Sequence, residues 1–213
     1  MDNTPARHFT DSVSNAYDYL AIGNSITFHN ITDFWWTECG MAATQPEFDY
    51  YHIIKNSLGN INSGVYNYGV WEVQTHDRSE TYEFLDKWLT EGIDLVTIQL
   101  SENCSDISTF IDDFRSLLIH IQNKIGGVQI IVIDDFWSKE KHDMKKTVCE
   151  ELGVDFVDLS DIRGVDKYKA GIGTVVIDSE GKKHVIEHDG VAAHPGDEGM
   201  KIIAERVLKM VNM

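Results

Sequence analysis

Cysteine is scarce in this sequence. Its 213 residues include three cysteines, Cys39, Cys104 and Cys149, which lie far apart and form no CxxC pair. An odd and sparse set of this kind does not provide a disulfide framework, and its spacing is not that of a zinc site. The cysteine content therefore favours a reducing compartment.

Long apolar runs are missing as well. Residues 1–16 are polar and lack the apolar stretch of a secretory signal peptide. No segment further along is long and apolar enough to span a bilayer. We therefore expect a cytoplasmic protein, with residues 1–16 forming a surface lead-in and with no membrane partner.

Positive charge is the third deficit. The sequence has 18 Lys and Arg residues against 35 Asp and Glu residues, which gives a formal net charge of −17. Such a field repels phosphate backbones, so we expect no nucleic-acid partner. With 42% hydrophobic residues the composition is otherwise that of an ordinary globular protein, and the length suits a single domain over residues 1–213.

What the sequence does contain is an alternation of short apolar runs with segments of helical spacing. The apolar runs that predict strands are residues 20–22, 65–67, 94–100, 128–133 and 156–159. Helical spacing marks residues 79–90, 107–125, 139–152 and 197–211, and residues 33–58 predict a broken helix. Strands alternating with helices predict an α/β fold with a single three-layer doubly wound parallel sheet. Residues 174–177 and 184–187 add a small late hairpin.

Polar residues and glycine follow the first three predicted strands. Ser25 comes soon after the first strand, and Gly69 and Asn103 stand in the turns after the second and third. Because the turns after parallel strands open onto one edge of the sheet, we expect these residues and His194 to be neighbours. Taken alone, Ser25 suits a helix cap or a phosphate-binding turn as well as a reactive site.

Together these residues provide the parts needed for acyl transfer. A serine nucleophile needs a base to take its proton, and histidine titrates in a suitable range. The oxyanion that forms needs donors already directed at it. The backbone N–H groups of Ser25 and Gly69 and the side-chain amide of Asn103 are three such donors, and His194 is the candidate base.

The same residues lie in four blocks that resemble those of the SGNH hydrolases, the GDSL esterase–lipase superfamily. The blocks are Gly23-Asn24-Ser25-Ile26-Thr27, Asn67-Tyr68-Gly69, Ser101-Glu102-Asn103 and Asp189-Gly190-Val191-Ala192-Ala193-His194-Pro195. They occur in the family's order and spacing and span most of the chain. The first block has Asn24 where the family often has aspartate.

The resemblance implies a flavodoxin-like three-layer fold, a Ser25 nucleophile and a His194 base. It also implies an oxyanion hole formed by Ser25, Gly69 and Asn103, and a reaction that requires no metal or organic cofactor. The aromatic-rich stretch after the serine block, which includes Trp36, is similar to that of carbohydrate-ester hydrolases.

The histidine block departs from the family pattern at one position. Members commonly carry an aspartate three residues before the histidine, where this chain has Val191. Asp189 could replace it if the intervening loop bulges, and Glu102 is a second candidate for the acid. The third possibility is a Ser–His dyad in which a backbone carbonyl orients the imidazole. The sequence leaves these three alternatives open.

Other residues fall near the expected site because they lie in the blocks or follow strands. The possible pocket residues are Asn24, Glu102, Trp36, Trp71 and Trp137. For Trp71 and Trp137, packing in the core is an equally good interpretation, since aromatic side chains dominate core burial.

One further group of polar residues suggests a metal at first sight. His142 with Asp143, Asp134 and Asp135 has only generic spacing, so we interpret these residues as solvated charge. The site that the sequence predicts is accordingly one without a metal.

The sequence therefore predicts a serine esterase that removes a short acyl group, acetyl in the first instance, from a carbohydrate or small-molecule ester through an acyl-serine intermediate. An acyltransferase would use the same Ser25 and His194, so it remains an alternative. A non-catalytic binding module on a flavodoxin-like scaffold is a further alternative, but it would leave Asn103 and His194 without a role.

Overall fold

The structure is a computed structural model that describes residues 18–59 and 61–212. The predicted surface lead-in, residues 1–16, lies outside these residues, and the extent of the single domain stays a prediction. Among the residues described, no helix is long and apolar enough to cross a membrane.

A central sheet of five parallel strands runs through the described residues. Its strands are β1 (Asp18–Gly23), β2 (Ser63–Asn67), β3 (Ile93–Gln99), β4 (Gln129–Ile133) and β5 (Asp155–Val157), in the order β2-β1-β3-β4-β5. Most of the strand residues are buried, as expected when both faces of a parallel sheet are covered. The order reverses at β1 and β3, which makes a switch point at their carboxyl ends, where such sheets bind ligands.

The first three strands end level with one another. The register pairs Gly23, the last residue of β1, with Asn67 of β2 on one side and with Gln99 of β3 on the other. Each of these partners is also the last residue of its strand. The three turns that follow must therefore start side by side at one edge of the sheet.

Helices cover both faces of the sheet. The α-helices of the described residues are α1 (Tyr50–Leu58), α2 (Gly69–Val73), α3 (Tyr82–Asp86), α4 (Phe110–Lys124), α5 (His142–Leu152), α6 (Asp189–Ala192) and α7 (Asp197–Leu208). One apolar cluster joins the sheet to α2, α3, α4 and α5, and a second joins its other face to α1 and α7. The predicted doubly wound three-layer fold is confirmed.

The predicted hairpin is also present, as a separate two-stranded antiparallel sheet. Its strands are β6 (Val175–Ile177) and β7 (Lys183–Val185). A third apolar cluster packs the hairpin region against α6 and the segment after the first strand, through Val176, Ile186, Val191 and Trp35. The hairpin therefore supports the part of the chain that leads to His194.

Two predicted helices are shorter than expected. Residues 33–45 form no helix, because their backbone groups bond elsewhere: the His29 N–H donates to the Cys39 carbonyl, and the Met41 N–H to the Ser25 carbonyl. Only α1 and a short 3₁₀ turn, Pro46–Phe48, realise the predicted broken helix. Residues 79–90 likewise give a 3₁₀ turn, Arg78–Thr81, followed by the five residues of α3.

The interpretation of Asp134 and Asp135 as solvated charge is wrong. Both carboxylates are fully buried at the end of β4. The Asp135 carboxylate accepts a hydrogen bond from the buried Lys145 ammonium at 3.0 Å, and the Asp134 carboxylate pairs with Arg163 and with His142. Buried carboxylates need such partners, because an unpaired buried charge is costly.

Candidate active site

Ser25 and His194 meet at the carboxyl edge of the sheet. Ser25 lies in the turn after β1, and His194 lies two residues after α6. The distance between Ser25 Oγ and His194 Nε2 is 2.8 Å, although 169 residues separate them in sequence. Hydrogen-bond contact between a serine and an imidazole is the arrangement that activates a hydroxyl nucleophile.

The turn that carries Ser25 is shaped by its neighbours. A Cβ on Gly23 would lie 1.8 Å from Thr27 Oγ1 and 2.7 Å from the Gln99 carbonyl oxygen, so only glycine fits there. The Asn24 side chain accepts a hydrogen bond from the Ile26 N–H at 3.0 Å. Capping of the turn is thus done by Asn24, and the Ser25 hydroxyl is left for His194.

The other nitrogen of the His194 ring fixes its tautomer. His194 Nδ1 lies 2.7 Å from the Gly190 carbonyl oxygen. Because a carbonyl can only accept, Nδ1 must carry the ring proton, and the neutral ring presents Nε2 as an acceptor to the Ser25 hydroxyl. This tautomer is the one that a general base requires.

Neither candidate acid contacts His194. Asp189 is exposed at the start of α6, and its carboxylate makes no hydrogen bond to the ring. The Glu102 carboxylate accepts hydrogen bonds from the Phe136 and Trp137 N–H groups. Within the described residues, the geometry is that of the third alternative, a dyad oriented by a backbone carbonyl.

The packing of Val191 explains why no aspartate stands in its place. Its side chain is 1% exposed and lies in the apolar cluster that joins α6 to the hairpin. An ionised carboxylate in that environment would be desolvated without a partner. The departure from the family pattern is therefore built into the packing of α6.

Burial also changes the basicity of His194. Removal from solvent lowers the pKa of His194 from its ordinary 6.5 to about 4, and the hydrogen bond to the Gly190 carbonyl opposes this shift only in part. The nearby imidazoles of His29 and His188 act in the same direction as burial. The ring is therefore neutral, and able to accept a proton, down to acidic pH.

Trp137 contacts His194 directly. Its ring meets the His194 ring edge to face, with the centroids 4.7 Å apart, and its indole N–H donates to the Ala193 carbonyl at 2.8 Å. Of the two interpretations open for Trp137, the structure favours a place beside the site over one in the core.

Three donors were predicted for the oxyanion, and they differ in how they are engaged. Asn103 is exposed, and its side-chain N–H₂ donates one hydrogen bond, to Glu72 Oε2 at 2.6 Å. The Ser25 N–H has no acceptor among the described residues. The Gly69 N–H donates to Asn67 Oδ1 at 2.9 Å. In the resting arrangement, Ser25 and Asn103 thus keep an unengaged N–H.

Glu72 is the residue that the sequence analysis missed. Its carboxylate accepts hydrogen bonds from the side-chain amides of Asn24 and Asn103 and from the backbone N–H of Ser101. It also lies 4.0 Å from the position that a Cβ on Gly69 would occupy. Glu72 therefore connects the first and third blocks, and it lies three residues after the last residue of the second. A glutamate three residues after Gly69, in an otherwise apolar segment, is the signal that could have identified it.

Two of the predicted pocket residues, Trp71 and Asn24, are buried in the fold. Trp71 is 0% exposed and packs against Phe110 and Phe114, so its prediction as a pocket residue is wrong. Asn24 is also buried, and its side chain serves Ile26 and Glu72. Hydrogen bonds hold the Asn24 side chain within its turn, and aromatic packing holds the Trp71 ring between α2 and α4.

Solved structures match this chain over most of its length, whereas no protein-family profile and no curated protein does. An acetylxylan esterase from Geobacillus stearothermophilus is 18% identical with a TM-score of 0.57, and 91% of this chain and 93% of the esterase are covered. A lipolytic G-D-S-L family member from Veillonella parvula is 13% identical with a TM-score of 0.54, and the coverage is 92% and 98%. A salicylyl-acyltransferase from a tetracycline biosynthetic pathway is 15% identical with a TM-score of 0.57, and the match covers 93% of this chain but 55% of the acyltransferase.

The chain has the SGNH-hydrolase fold. The resemblance predicted from the four blocks is thereby confirmed for the fold, which the strand order β2-β1-β3-β4-β5 shares with flavodoxin-like proteins. Identities of 13–18% do not carry an activity from the matched proteins to this one.

An aromatic cleft of about 290 Å³ lies beside the hairpin and the start of α6. Its lining residues are Asp33, Phe34, Trp36, Val185, Glu187 and His188. Phe34 stacks on His188 with the ring centroids 4.8 Å apart, and Trp36 stacks on His184 at 4.6 Å. His188 also caps α6, since its ring accepts from the Gly190 N–H at 3.1 Å. The cleft is thus joined to the turn that orients His194.

A group with metal-ligand chemistry lies after β4 and β5, at the same carboxyl edge of the sheet. Asp134, His142 and Asp158 offer ligand atoms within 4.8 Å of one another. The guanidinium of Arg163 already pairs with the Asp134 carboxylate and lies 3.1 Å from His142 Nδ1. The positive charge of Arg163 occupies the place that a cation would need, so the donor set does not fit a metal ion.

Proposed function

We propose that this chain is a serine esterase that removes a short acyl group, acetyl in the first instance, from a carbohydrate or small-molecule ester. The proposal rests above all on one observation, the 2.8 Å hydrogen bond between Ser25 Oγ and His194 Nε2. The Gly190 carbonyl fixes the Nδ1–H tautomer, so Nε2 accepts the hydrogen bond from the Ser25 hydroxyl. Nucleophilic attack needs this direction of the bond, because Nε2 must take the hydroxyl proton.

In the first half-reaction, the Ser25 hydroxyl attacks the acyl carbon while its proton passes to His194 Nε2. The new Oγ–C bond pushes the carbonyl electrons onto oxygen, and the N–H groups of Ser25 and Asn103 stabilise this oxyanion. When the oxyanion collapses, the bond to the alcohol breaks, and the leaving oxygen takes the proton back from His194. The product is an acyl-serine and a free alcohol.

In the second half-reaction, water attacks the acyl-serine. His194 takes a proton from the water and returns it to Ser25 Oγ as the acid leaves. Both steps begin with a neutral imidazole, which the lowered pKa of His194 maintains.

The aromatic cleft supports a carbohydrate as the alcohol portion of the ester. Phe34 is 40% exposed, and the cleft combines two aromatic rings with the carboxylates of Asp33 and Glu187. Aromatic faces suit the C–H faces of sugar rings, and carboxylates accept hydrogen bonds from hydroxyl groups. Among the proteins that share the fold, one is named as an acetylxylan esterase.

An acyltransferase is the second candidate. A protein of the same fold is named as a salicylyl-acyltransferase, and the Ser25–His194 pair would form the same acyl-serine in either case. The two reactions differ only in whether water or a second alcohol attacks the acyl-serine. Product analysis with an added sugar acceptor therefore separates them.

Labelling with a fluorophosphonate tests the proposal. Wild type should be labelled at Ser25 and should hydrolyse p-nitrophenyl acetate and acetylated xylo-oligosaccharides. Ser25→Ala should lose both properties while keeping the wild-type melting temperature, because it removes one hydroxyl whose described side-chain partner is His194. Absence of labelling and hydrolysis in the wild type would favour the non-catalytic binding module, and full activity of Ser25→Ala would exclude Ser25 as the nucleophile.

A further inference from the structure

We propose that Glu72 is a positioning residue that fixes the orientation of the Asn103 side-chain amide, so that one Asn103 N–H is held toward the oxyanion. The proposal rests on the proposed function of this site. The sequence blocks do not include Glu72, and the residue would act on the reaction through Asn103 rather than by contact with the substrate.

The contacts of Glu72 are short and divided between its two oxygens. Oε1 accepts from Asn24 Nδ2 at 2.9 Å and from the Ser101 N–H at 2.6 Å. Oε2 accepts from Asn103 Nδ2 at 2.6 Å. Three donors from two different blocks therefore converge on one carboxylate. Asn24 precedes Ser25 directly, so the same carboxylate ties the nucleophile turn to the oxyanion donor.

The chemistry of a carboxylate is what selects one orientation of the amide. The oxygen and nitrogen of an asparagine side chain are nearly equal in shape, and a carboxylate can only accept hydrogen bonds. It therefore binds the nitrogen end of Asn103 and rejects the oxygen end. Nδ2 has two N–H donors, and one of them bonds to Glu72. The second N–H therefore remains available to an oxyanion. Asn103 is exposed, so little else holds its side chain in place.

The burial of Glu72 supports a role beyond packing. Its side chain is 1% exposed, and among the described residues it forms no ion pair with a lysine, arginine or histidine. Burial raises the pKa of Glu72, and the hydrogen bonds from Asn24, Asn103 and Ser101 oppose that shift. A buried carboxylate without a counterion is costly, and such groups are frequent at functional sites.

Glu72→Gln is the informative substitution because it keeps the shape and removes one acceptor. A glutamine has one acceptor oxygen for three donors, so its N–H₂ must face Asn103, Asn24 or Ser101. When it faces Asn103, that amide must turn its oxygen inward and withdraw the N–H that serves the oxyanion. We expect kcat to fall by roughly 10²–10³, the loss seen when one oxyanion donor is removed, with little change in KM.

A double-mutant cycle with Asn103→Ala separates positioning from a merely structural role. In the wild-type background Asn103→Ala should cost roughly 10²–10³ in kcat. In the Glu72→Gln background it should cost less than about threefold, because the donor is already lost. Full loss in both backgrounds would overturn the proposal. Asp134→Asn is the matched control, since it removes another buried carboxylate that contacts none of the three blocks, and it should leave kcat near the wild-type value.

A measurement on the wild type covers the case in which Glu72→Gln does not fold. The two side-chain N–H protons of Asn103 give separate NMR resonances in any case, because the amide C–N bond has partial double-bond character, and their loss in Asn103→Ala assigns them. The proton that is bonded to the Glu72 carboxylate should be shifted downfield of its position in a solvent-exposed asparagine. Both resonances at the positions of a solvent-exposed asparagine would overturn the proposal. This result is independent of turnover, whereas failure of the proposed function would appear as absent labelling at Ser25.

Discussion

His194 Nδ1 donates to the carbonyl oxygen of Gly190, four residues earlier in the chain, at 2.7 Å. The carbonyl therefore occupies the place that a carboxylate takes in a catalytic triad. A neutral acceptor orients the ring and fixes its tautomer, but it adds no full negative charge beside the imidazolium that forms during attack. We infer that this base is well oriented and weakly basic.

Replacement of Asp189 tests that inference. Asp189→Asn removes the nearest carboxylate that precedes His194 in sequence and is nearly isosteric. Since Asp189 is exposed and does not bond to the ring, we expect kcat/KM to fall by less than about tenfold, against about 10⁴ for a triad aspartate. Steady-state kinetics on p-nitrophenyl acetate provide the measurement. A loss close to the triad figure would return Asp189 to the mechanism.

Glu102→Gln tests the remaining candidate acid. The Glu102 carboxylate holds the backbone of Phe136 and Trp137, and a glutamine oxygen can still accept one of these bonds. We expect a loss of less than about tenfold, again far below the triad figure. A large loss in Glu102→Gln together with an unaffected Asp189→Asn would assign the acid to the third block.

The pH dependence should reflect the buried imidazole. General-base catalysis needs neutral His194, and burial lowers its pKa to about 4. A lower pKa keeps the imidazole ring neutral at lower pH. We therefore expect activity to be lost only as the pH falls through about 4. The acid limb of kcat/KM for the free enzyme should therefore have its midpoint well below the 6.5 of an exposed histidine. A midpoint near 6.5 would contradict the burial of the base.

Trp36→Ala should separate carbohydrate from simple substrates. Loss of the indole removes an aromatic face of the cleft, so we expect KM for acetylated xylo-oligosaccharides to rise by roughly threefold to tenfold. KM for p-nitrophenyl acetate, which has no sugar, should change little and serves as the internal control. Equal effects on both substrates would argue against a sugar in this cleft.

Val191→Asp would introduce the aspartate that SGNH hydrolases commonly have at this position. We expect this substitution to destabilise the protein without forming a triad. The new carboxylate would lie in an apolar cluster with no cation, and an uncompensated buried charge costs about 3–5 kcal/mol in the free energy of unfolding. Val191→Ala, which creates only a small cavity, is the control and should cost less. Thermal unfolding measures both. Higher activity in Val191→Asp than in the wild type would mean that the loop can rearrange into a triad.

The parts of the fold that the sequence could predict are those with a local signal. Each parallel strand is a short apolar run, and α4 has clear helical spacing, so both are recognised without knowledge of their partners. Ser25 and Asn103 follow parallel strands, whose turns share one edge of the sheet, and His194 is indicated by the resemblance of its block. The length of α3 and the irregular residues 33–45 were not predicted, since tertiary hydrogen bonds decide them.

The roles of Glu72, Trp71 and Asp134 depend on contacts between distant segments. Trp71 follows a strand, as a pocket residue would, but its ring turns into the core against α4. In the sequence, Asp134 has the features of a surface carboxylate. In the fold, its partners Arg163 and His142 come from later segments of the chain. A residue type and its position in sequence do not reveal which partners will compensate its burial.

The hairpin and α6 belong to an apolar cluster of their own, separate from the two that cover the central sheet. We therefore expect the unit that carries His194 to open while the sheet remains intact, at a lower free-energy cost than global unfolding. Mild heat or denaturant should consequently abolish turnover before the far-ultraviolet circular dichroism of the sheet and helices changes. We therefore expect the lifetime of activity to follow the local opening of this unit rather than the stability of the whole molecule.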